Sequence, residues 1–542
     1  MGLPIARFLA LIVAIALIGF AVPLPAQDPA AEAETAPEPA EAPRRPDSPS
    51  LHLEVLDVPG AWQAMEQTQL RQSIEALLAI PFIASDPTMA ALSGSLEEIA
   101  REAGIEPTID SLVGENTRSL RLIIFDEDKL EKGQLVPFIL DATMATPELA
   151  GIVAKHLEPK LAASGIEIRA PHDTLTMTNA PERLIQDRMA DWRAPVIGRA
   201  LEMSPLEGAQ IRFFAQPERD EEPAKGDRIS GGHIRLQPTR IDIAMQALPA
   251  RADGELYAPS ADNPINLDRL VSFAEQPHVL SLAYHGAGQR LQEAFADDTD
   301  SRGRFIASIL EYSTGAKPDD LLQAFGEEAN LAINSLAVRS LFDFSFGISG
   351  VWQVRDHAKA AEVIASLKEA HLANLIRESQ DYGRSTEGIA FVEEAHRDVQ
   401  MLSAPLMIFP FQPTKPPTLN LALTEDALLA ATSRESLVAL IDRYLDGPGE
   451  SALLQTAREE LDLPTEAHSL TTVDFGAMAQ VFRRSLPVLI VLTQGGQESQ
   501  VFGRALADVV AALGTGVTSG VYSPDGQSVR ATLLLAPPNP AP

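Results

Sequence analysis

The chain has 542 residues, 45% of them hydrophobic, a formal charge of −32 and no cysteine. That apolar content fits a folded chain with a sizeable core, and the length suggests about two to four domains. The absence of thiols excludes disulfides, thiolate metal sites, cysteine nucleophiles and a lipidated cysteine, and the acidic balance works against nucleic-acid phosphates and anionic headgroups.

The opening "MGLPIARFLALIVAIALIGFAVPLPAQ" places Arg7 before an apolar run from Phe8 to Val22. A short positive start and a run too short for a comfortable span predict a signal peptide over residues 1–26, with Ala26 last before cleavage and Leu24 at a position that usually holds a small residue. Retention as an N-terminal anchor is the alternative. Cleavage takes away only Arg7 and leaves −33, so the acidic surface serves solubility or, as a second reading, docks a basic partner. Residues 27–50 are Pro/Ala/Glu-rich without apolar periodicity and predict a disordered linker; residues 537–542 predict a disordered tail. No later run is apolar enough to span a bilayer, so the expected destination is the periplasm or cell envelope.

Between these ends the sequence repeats. "LHLEVLDVPGAWQAM" from Leu51, "HVLSLAYHGAGQRL" from His278 and "HSLTTVDFGAMAQVF" from His468 each read as a strand, Gly-Ala and a helix. "DSLVGENTRSLRLII" from Asp110 matches "DLLQAFGEEANLAI" from Asp320, with Gly114 and Gly326 expected as left-handed helix caps. An amphipathic helix from Thr146 matches one from Arg355, and "DTLTMTNAPERL" from Asp173 matches "DALLAATSRESL" from Asp426. The glycines lie 212 residues apart and the aspartates 253, so the second copy carries 41 extra residues, read as added strands around "GIAFVEEAHRDVQMLSAPLMIFPFQ". The expected fold is α+β in two related lobes, each an antiparallel or mixed sheet with packed helices. Their bounds are 51–254 for the first lobe, 255–276 for a connector and 277–536 for the second.

This order of elements resembles a family of exported bacterial proteins known only as a domain of unknown function. "LLQAFGEEANLAI", "VWQVRDHAKAAEVIASL" and "LALTEDALLAATSRESLVALI" carry the likeness, with weaker copies in the first half. The resemblance implies an exported two-lobed tandem repeat, and it carries over no catalytic residue.

Candidate chemistry is sparse. Glu327-Glu328 reads as solvated acids at a strand entry, since Glu327 matches Glu115 but Glu328 meets Asn116. Gly286-x-Gly288 begins a dinucleotide fingerprint but has Leu291 where the third glycine belongs. Asp297, Asp298 and Asp300 open a calcium-loop spacing, with Arg302 at a ligand position and Ile309 at the distal one; a solvated acidic turn is the default and a weak calcium site the alternative. His278 and His285 point to opposite faces of one strand-like segment, and Ser349 lacks the G-x-S-x-G order. "SAPLMIFPFQPTKPP", Ser403 to Pro417, lies within the excess, and Leu406, Met407, Phe409 and Phe411 form a candidate contact surface; the plainer reading is a strand ended by proline. The expectation is a non-catalytic envelope protein that binds or scaffolds a protein partner, with no cofactor, no metal and no nucleic acid. A carrier of an apolar ligand is the alternative and an unrecognised hydrolase comes third. An apolar pocket favours the carrier; converging Ser, His and carboxylate groups favour the enzyme.

Overall fold

The computed structural model describes residues 49–66, 68–81, 87–125, 137–162, 165–180, 195–215, 228–249, 265–266, 279–285, 315–340, 343–406, 416–447, 466–492, 496–523 and 526–537. The chain divides into two compact units, Met1–Tyr257 with Ser523–Pro542, and Ala258–Tyr522. The fold is α+β, built on antiparallel strands.

In the first unit, strand β1 (Pro49–Val55) alternates Leu53 and Val55 with His52 and Glu54, giving one apolar and one polar face. Helix α1 (Val58–Glu66) starts where the Asp57 carboxylate accepts from the Gly60 N–H at 3.0 Å. Helix α2 (Gln69–Leu78) is capped by the Thr68 hydroxyl, and α3 (Pro87–Ala103) follows. A single π-helical turn, Asp110–Glu115, leads into β2 (Thr117–Phe125). Then come β3 (Phe138–Met144), α4 (Pro147–Leu161), β4 (Glu167–Arg169), β5 (Thr174–Thr178), α5 (Pro195–Glu202), β6 (Ile211–Ala215), β7 (Arg228–Gln237) and β8 (Arg240–Pro249). The C-terminal strand β20 (Gly526–Leu534) belongs to this unit and pairs with β8. The ladder runs β20–β8–β7–β6–β1–β2–β3–β5–β4.

The second unit holds β9 (Ile265–Asn266), β10 (Leu280–His285), α6 (Pro318–Ala324), β11 (Phe325–Ser340), β12 (Asp343–Val354) and the long helix α7 (His357–Asp381). It continues through β13 (Val392–His396), β14 (Val399–Pro405), β15 (Thr418–Leu423), β16 (Ala427–Ala431), α8 (Arg434–Asp446), β17 (Glu466–Ala467), β18 (Ser469–Asp474), α9 (Phe475–Leu492), α10 (Gln497–Ala512) and β19 (Thr515–Ser523). Its ladder runs β19–β18–β10–β11–β12–β16–β15–β14–β13, with β9 and β17 paired apart.

Read outward from β1 and from β10, the ladders agree through four further strands, after which β14 and β13 extend the second. Matching hydrogen bonds fix the register. The Met144 N–H donates to the Asp173 carbonyl and the Val354 N–H to the Asp426 carbonyl, each at 2.8 Å. One residue beyond each strand, Asn179 Oδ1 accepts from the Phe138 N–H (2.8 Å) and Thr432 Oγ1 from the Ile348 N–H (2.9 Å). Thr146 caps α4 and Asp356 caps α7, and Ala150 and Ala360, each four residues past its cap, are fully buried.

The glycine expectation needs correction. Neither Gly114 nor Gly326 has a positive φ; left-handed glycines instead follow helices at Gly104, Gly447 and Gly514. Nor do the two share a place: Thr117 and Phe325 occupy the same rung, opposite Met144 and Val354, so Gly114 lies before its strand and Gly326 within its own. What these glycines share is close approach. A Cβ on Gly114 would lie 2.6 Å from the Trp62 indole, and one on Gly326 2.2 Å from Gln353 Oε1.

Candidate functional site

Strands and helices of the first unit line an apolar cavity of about 230 Å³. Its floor is the apolar face of the sheet, where cross-strand rows align Val55, Leu120, Ala142 and Leu175, and beside them Leu140 and Met177. Its roof comes from residues at helical spacing: Val58, Ala61, Trp62 and Met65 of α1, Ile74 of α2, and Val153 and Leu157 of α4, with Leu112 and Val113 of the π-turn at one side. Arg71, Glu75 and Thr117 are the polar members of the lining, and the Thr117 hydroxyl is engaged with the Leu112 carbonyl at 3.0 Å.

Arg71 is the organised group. Its Nε donates to Glu75 Oε1 at 2.9 Å, one helical turn on, and its Nη2 to Asp110 Oδ1 at 2.5 Å. The guanidinium carbon lies 5.1 Å from the centre of the Trp62 ring, and the indole N–H donates to the same Asp110 oxygen at 2.8 Å. Gly114 lets that indole lie against the π-turn. The Arg71 side chain is only 15% exposed while Glu75 and Asp110 are 44% and 47% exposed, so the cation sits beneath a carboxylate rim. Burial opposes its charge, but the hydrogen bond to Glu75 and the charge of Asp110 outweigh burial and raise its pKa above the usual guanidinium value. The third nitrogen, Nη1, is buried with almost no accessible surface and has no hydrogen-bond partner among the described residues. The arrangement provides an apolar chamber with one fixed guanidinium at its wall.

The second unit has aromatic rings where this chamber has small side chains. Trp352 sits opposite Ala329 and Leu428, the place Ala142 takes between Leu120 and Leu175. Phe325 holds the rung of Thr117 and stacks on Trp352, ring centres 4.9 Å apart, while the Trp352 indole donates to the Gly326 carbonyl.

On the opposite face of the first sheet, Glu54, Arg121, Asp141, Thr176 and Arg169 form one cross-strand row. Buried Asp141 accepts from Arg121 (2.5 Å) and Thr176 (2.6 Å), and Glu54 from Arg212 (2.6 Å). His52 is buried beside this row, and burial, then the charges of Arg121 and Arg212, hold its imidazole down to about 3 against the pull of Asp141.

The residues singled out from sequence fall elsewhere. Glu327 pairs with Arg355 at 3.0 Å, and the N–H groups of Glu327 and Glu328 both donate to Gln353 Oε1, which is a strand-entry bracket. The Ser349 hydroxyl accepts from Asn334 at 2.7 Å. Leu406 is half-buried at the base of the β14–β15 hairpin, its N–H donating to the Pro417 carbonyl; Met407, Phe409 and Phe411 lie outside the described residues, as do Gly286, Gly288, Asp297, Asp298, Asp300 and His278. His285 instead meets His468, ring centres 6.4 Å apart and both buried, a pairing that no sequence spacing announces. Among the described residues no three His, Asp or Glu gather to hold a metal, and no helix is long and apolar enough to cross a membrane. Sequence reading missed Arg71, Asp110 and Ala142 as site residues; setting Ala142 against Trp352 in an alignment of the halves was the available signal. No protein-family profile, curated protein or solved structure matches the chain.

Proposed function

We propose that the protein is a non-catalytic binding protein of the cell envelope whose first unit takes an apolar ligand, or the apolar part of one, beneath Trp62 and Arg71. The cavity carries this reading. Its volume exceeds the roughly 150 Å³ that accepts benzene and falls below the about 300–1,000 Å³ of common small-molecule sites, which suits a short acyl chain or one ring system of a larger molecule. Apolar lining rewards transfer of such a group from water in proportion to its area. The proposal includes export behind residues 1–26, a spacer over 27–50, kinship with the exported family of unknown function, and descent of both units from one duplicated ancestor. The second copy then filled its chamber with Phe325 and Trp352, leaving the first as the binding copy. A protein-partner role is the second reading, favoured by strands β13 and β14, which lengthen the second ladder where the first has no counterpart.

The test is saturable fluorescence enhancement of N-phenyl-1-naphthylamine by the full chain. Ala142→Trp, which gives the first chamber the ring that the second already holds, is expected to abolish it, and Ala142→Leu to weaken it. Overpacking costs about 1–3 kcal/mol in a filled core, and less here because space exists. Undiminished dye binding by a folded Ala142→Trp protein contradicts the proposal.

A further inference from the structure

We infer that the ligand of this cavity is a cationic amphiphile, with its apolar chain inside and an ammonium head in water against the Glu75 carboxylate. The inference rests on the cavity being the ligand site. The polar side chains that line it are Arg71, Glu75, Thr117 and the Trp62 indole, and their hydrogen bonds decide which head group each can still take. No donor is left for an anion. The buried Thr117 hydroxyl donates to the Leu112 carbonyl, and the indole N–H to Asp110. Arg71 directs Nε to Glu75 and Nη2 to Asp110, and its Nη1 has almost no accessible surface. Glu75 is different. Its Oε1 accepts from Arg71 at 2.9 Å, whereas Oε2 is open among the described residues, in a group with roughly four acceptor positions. Glu75 also lines the chamber while its side chain is 44% exposed, so it joins the chamber to solvent. Charge points the same way, because Glu75 and Asp110 against Arg71 leave net −1 beside the cavity in a chain of −32. A carboxylate or phosphate head is repelled at contact and at long range, whereas an ammonium is attracted and donates a charge-assisted bond. Such a head keeps its water on the outer side, which avoids the large cost of burying an ion.

The experiment is competition against bound N-phenyl-1-naphthylamine with the full chain at pH 7.5, using octylamine, octanol and octanoate. Expected is displacement by octylamine at about tenfold lower concentration than octanoate, with octanol between them. In Glu75→Gln the gap between octylamine and octanoate narrows to about threefold or less, while octanol changes by under about twofold because its chain contacts are kept. That variant still carries −31, so an undiminished gap would show attraction by the whole chain and overturn the contact with Glu75. Should Glu75→Gln fail to fold, salt decides on the unsubstituted protein. At about 1 M NaCl, where the Debye length is about 3 Å, a contact pair keeps at least about threefold preference for octylamine, and loss of all preference overturns the inference. Octanoate matching octylamine at low salt overturns it outright. Absence of dye binding by the unsubstituted protein would instead refute the cavity reading on which the inference rests, a separate outcome.

Discussion

At the scale of single residues, two glycines with similar sequence surroundings have different neighbours and so different expected costs. Gly114→Ala drives a methyl into the Trp62 indole, which is held by Asp110 and Arg71, whereas Gly326→Ala meets the end of the flexible Gln353 side chain. Chemical denaturation should give a loss of about 1–3 kcal/mol for the first and under about 1 for the second. Gly114→Ala should also weaken dye binding, because it displaces the aromatic wall of the chamber. His52 supplies a pH prediction. Its folded pKa of about 3 lies below its ordinary 6.5, so the unfolded chain binds the proton first. The contribution is whole above pH 6.5 and is lost as pH falls from there toward 3, by up to about 1.4 kcal/mol per pH unit. Burial and then His285 lower His468 in the same direction. Urea unfolding at pH 7, 6, 5 and 4 should give a flatter dependence for His52→Asn than for the parent; an unchanged slope would count against this assignment. Gly114 and Gly326 stood out in the sequence, but Trp62, Arg71 and Asp110 did not, since they come from three segments without a fixed spacing and read singly as ordinary helix and turn residues.

At the scale of elements, the sheet of the first unit separates two chemistries by its period of two. One face of β1, β2, β3 and β5 forms the cavity floor and the other carries the Glu54–Arg121–Asp141–Thr176 row. Asp141→Ala removes the acceptor of both Arg121 and Thr176 in a buried place, and calorimetry should record a loss near about 3 kcal/mol, as for a broken buried pair. The exposed Lys155–Glu102 pair of α4 and α3 should cost nothing measurable when broken. Much at this scale was legible. Asp173 and Asp426 do hold matching places, because a strand followed by a side-chain cap and a helix leaves a dense local signature, and the region of the excess residues contains β13 and β14. The glycine alignment failed because it assumed a cap; the glycines answer instead to Trp62 and Gln353, which no local pattern encodes.

For the whole molecule, the proposal makes one unit the binder and the other its filled counterpart, in a chain whose formal charge of −32 opposes self-association. Export predicts that N-terminal sequencing of the protein from the cell envelope starts at or near Gln27; an intact Met1 in a membrane pellet would favour an uncleaved anchor. The chamber itself was legible only as a question, since periodicity marks the apolar faces of β1, β3 and α4 but cannot tell whether they meet or leave room. That depends on one contrast in side-chain size, Ala142 against Trp352. The most direct measurement is a crystal structure of the full chain grown with saturating methyl octanoate. The account predicts electron density for the alkyl chain between Ala142, Met144 and Leu157. A chamber without ligand density at saturation, or one closed by Trp62 or Leu120, would contradict it.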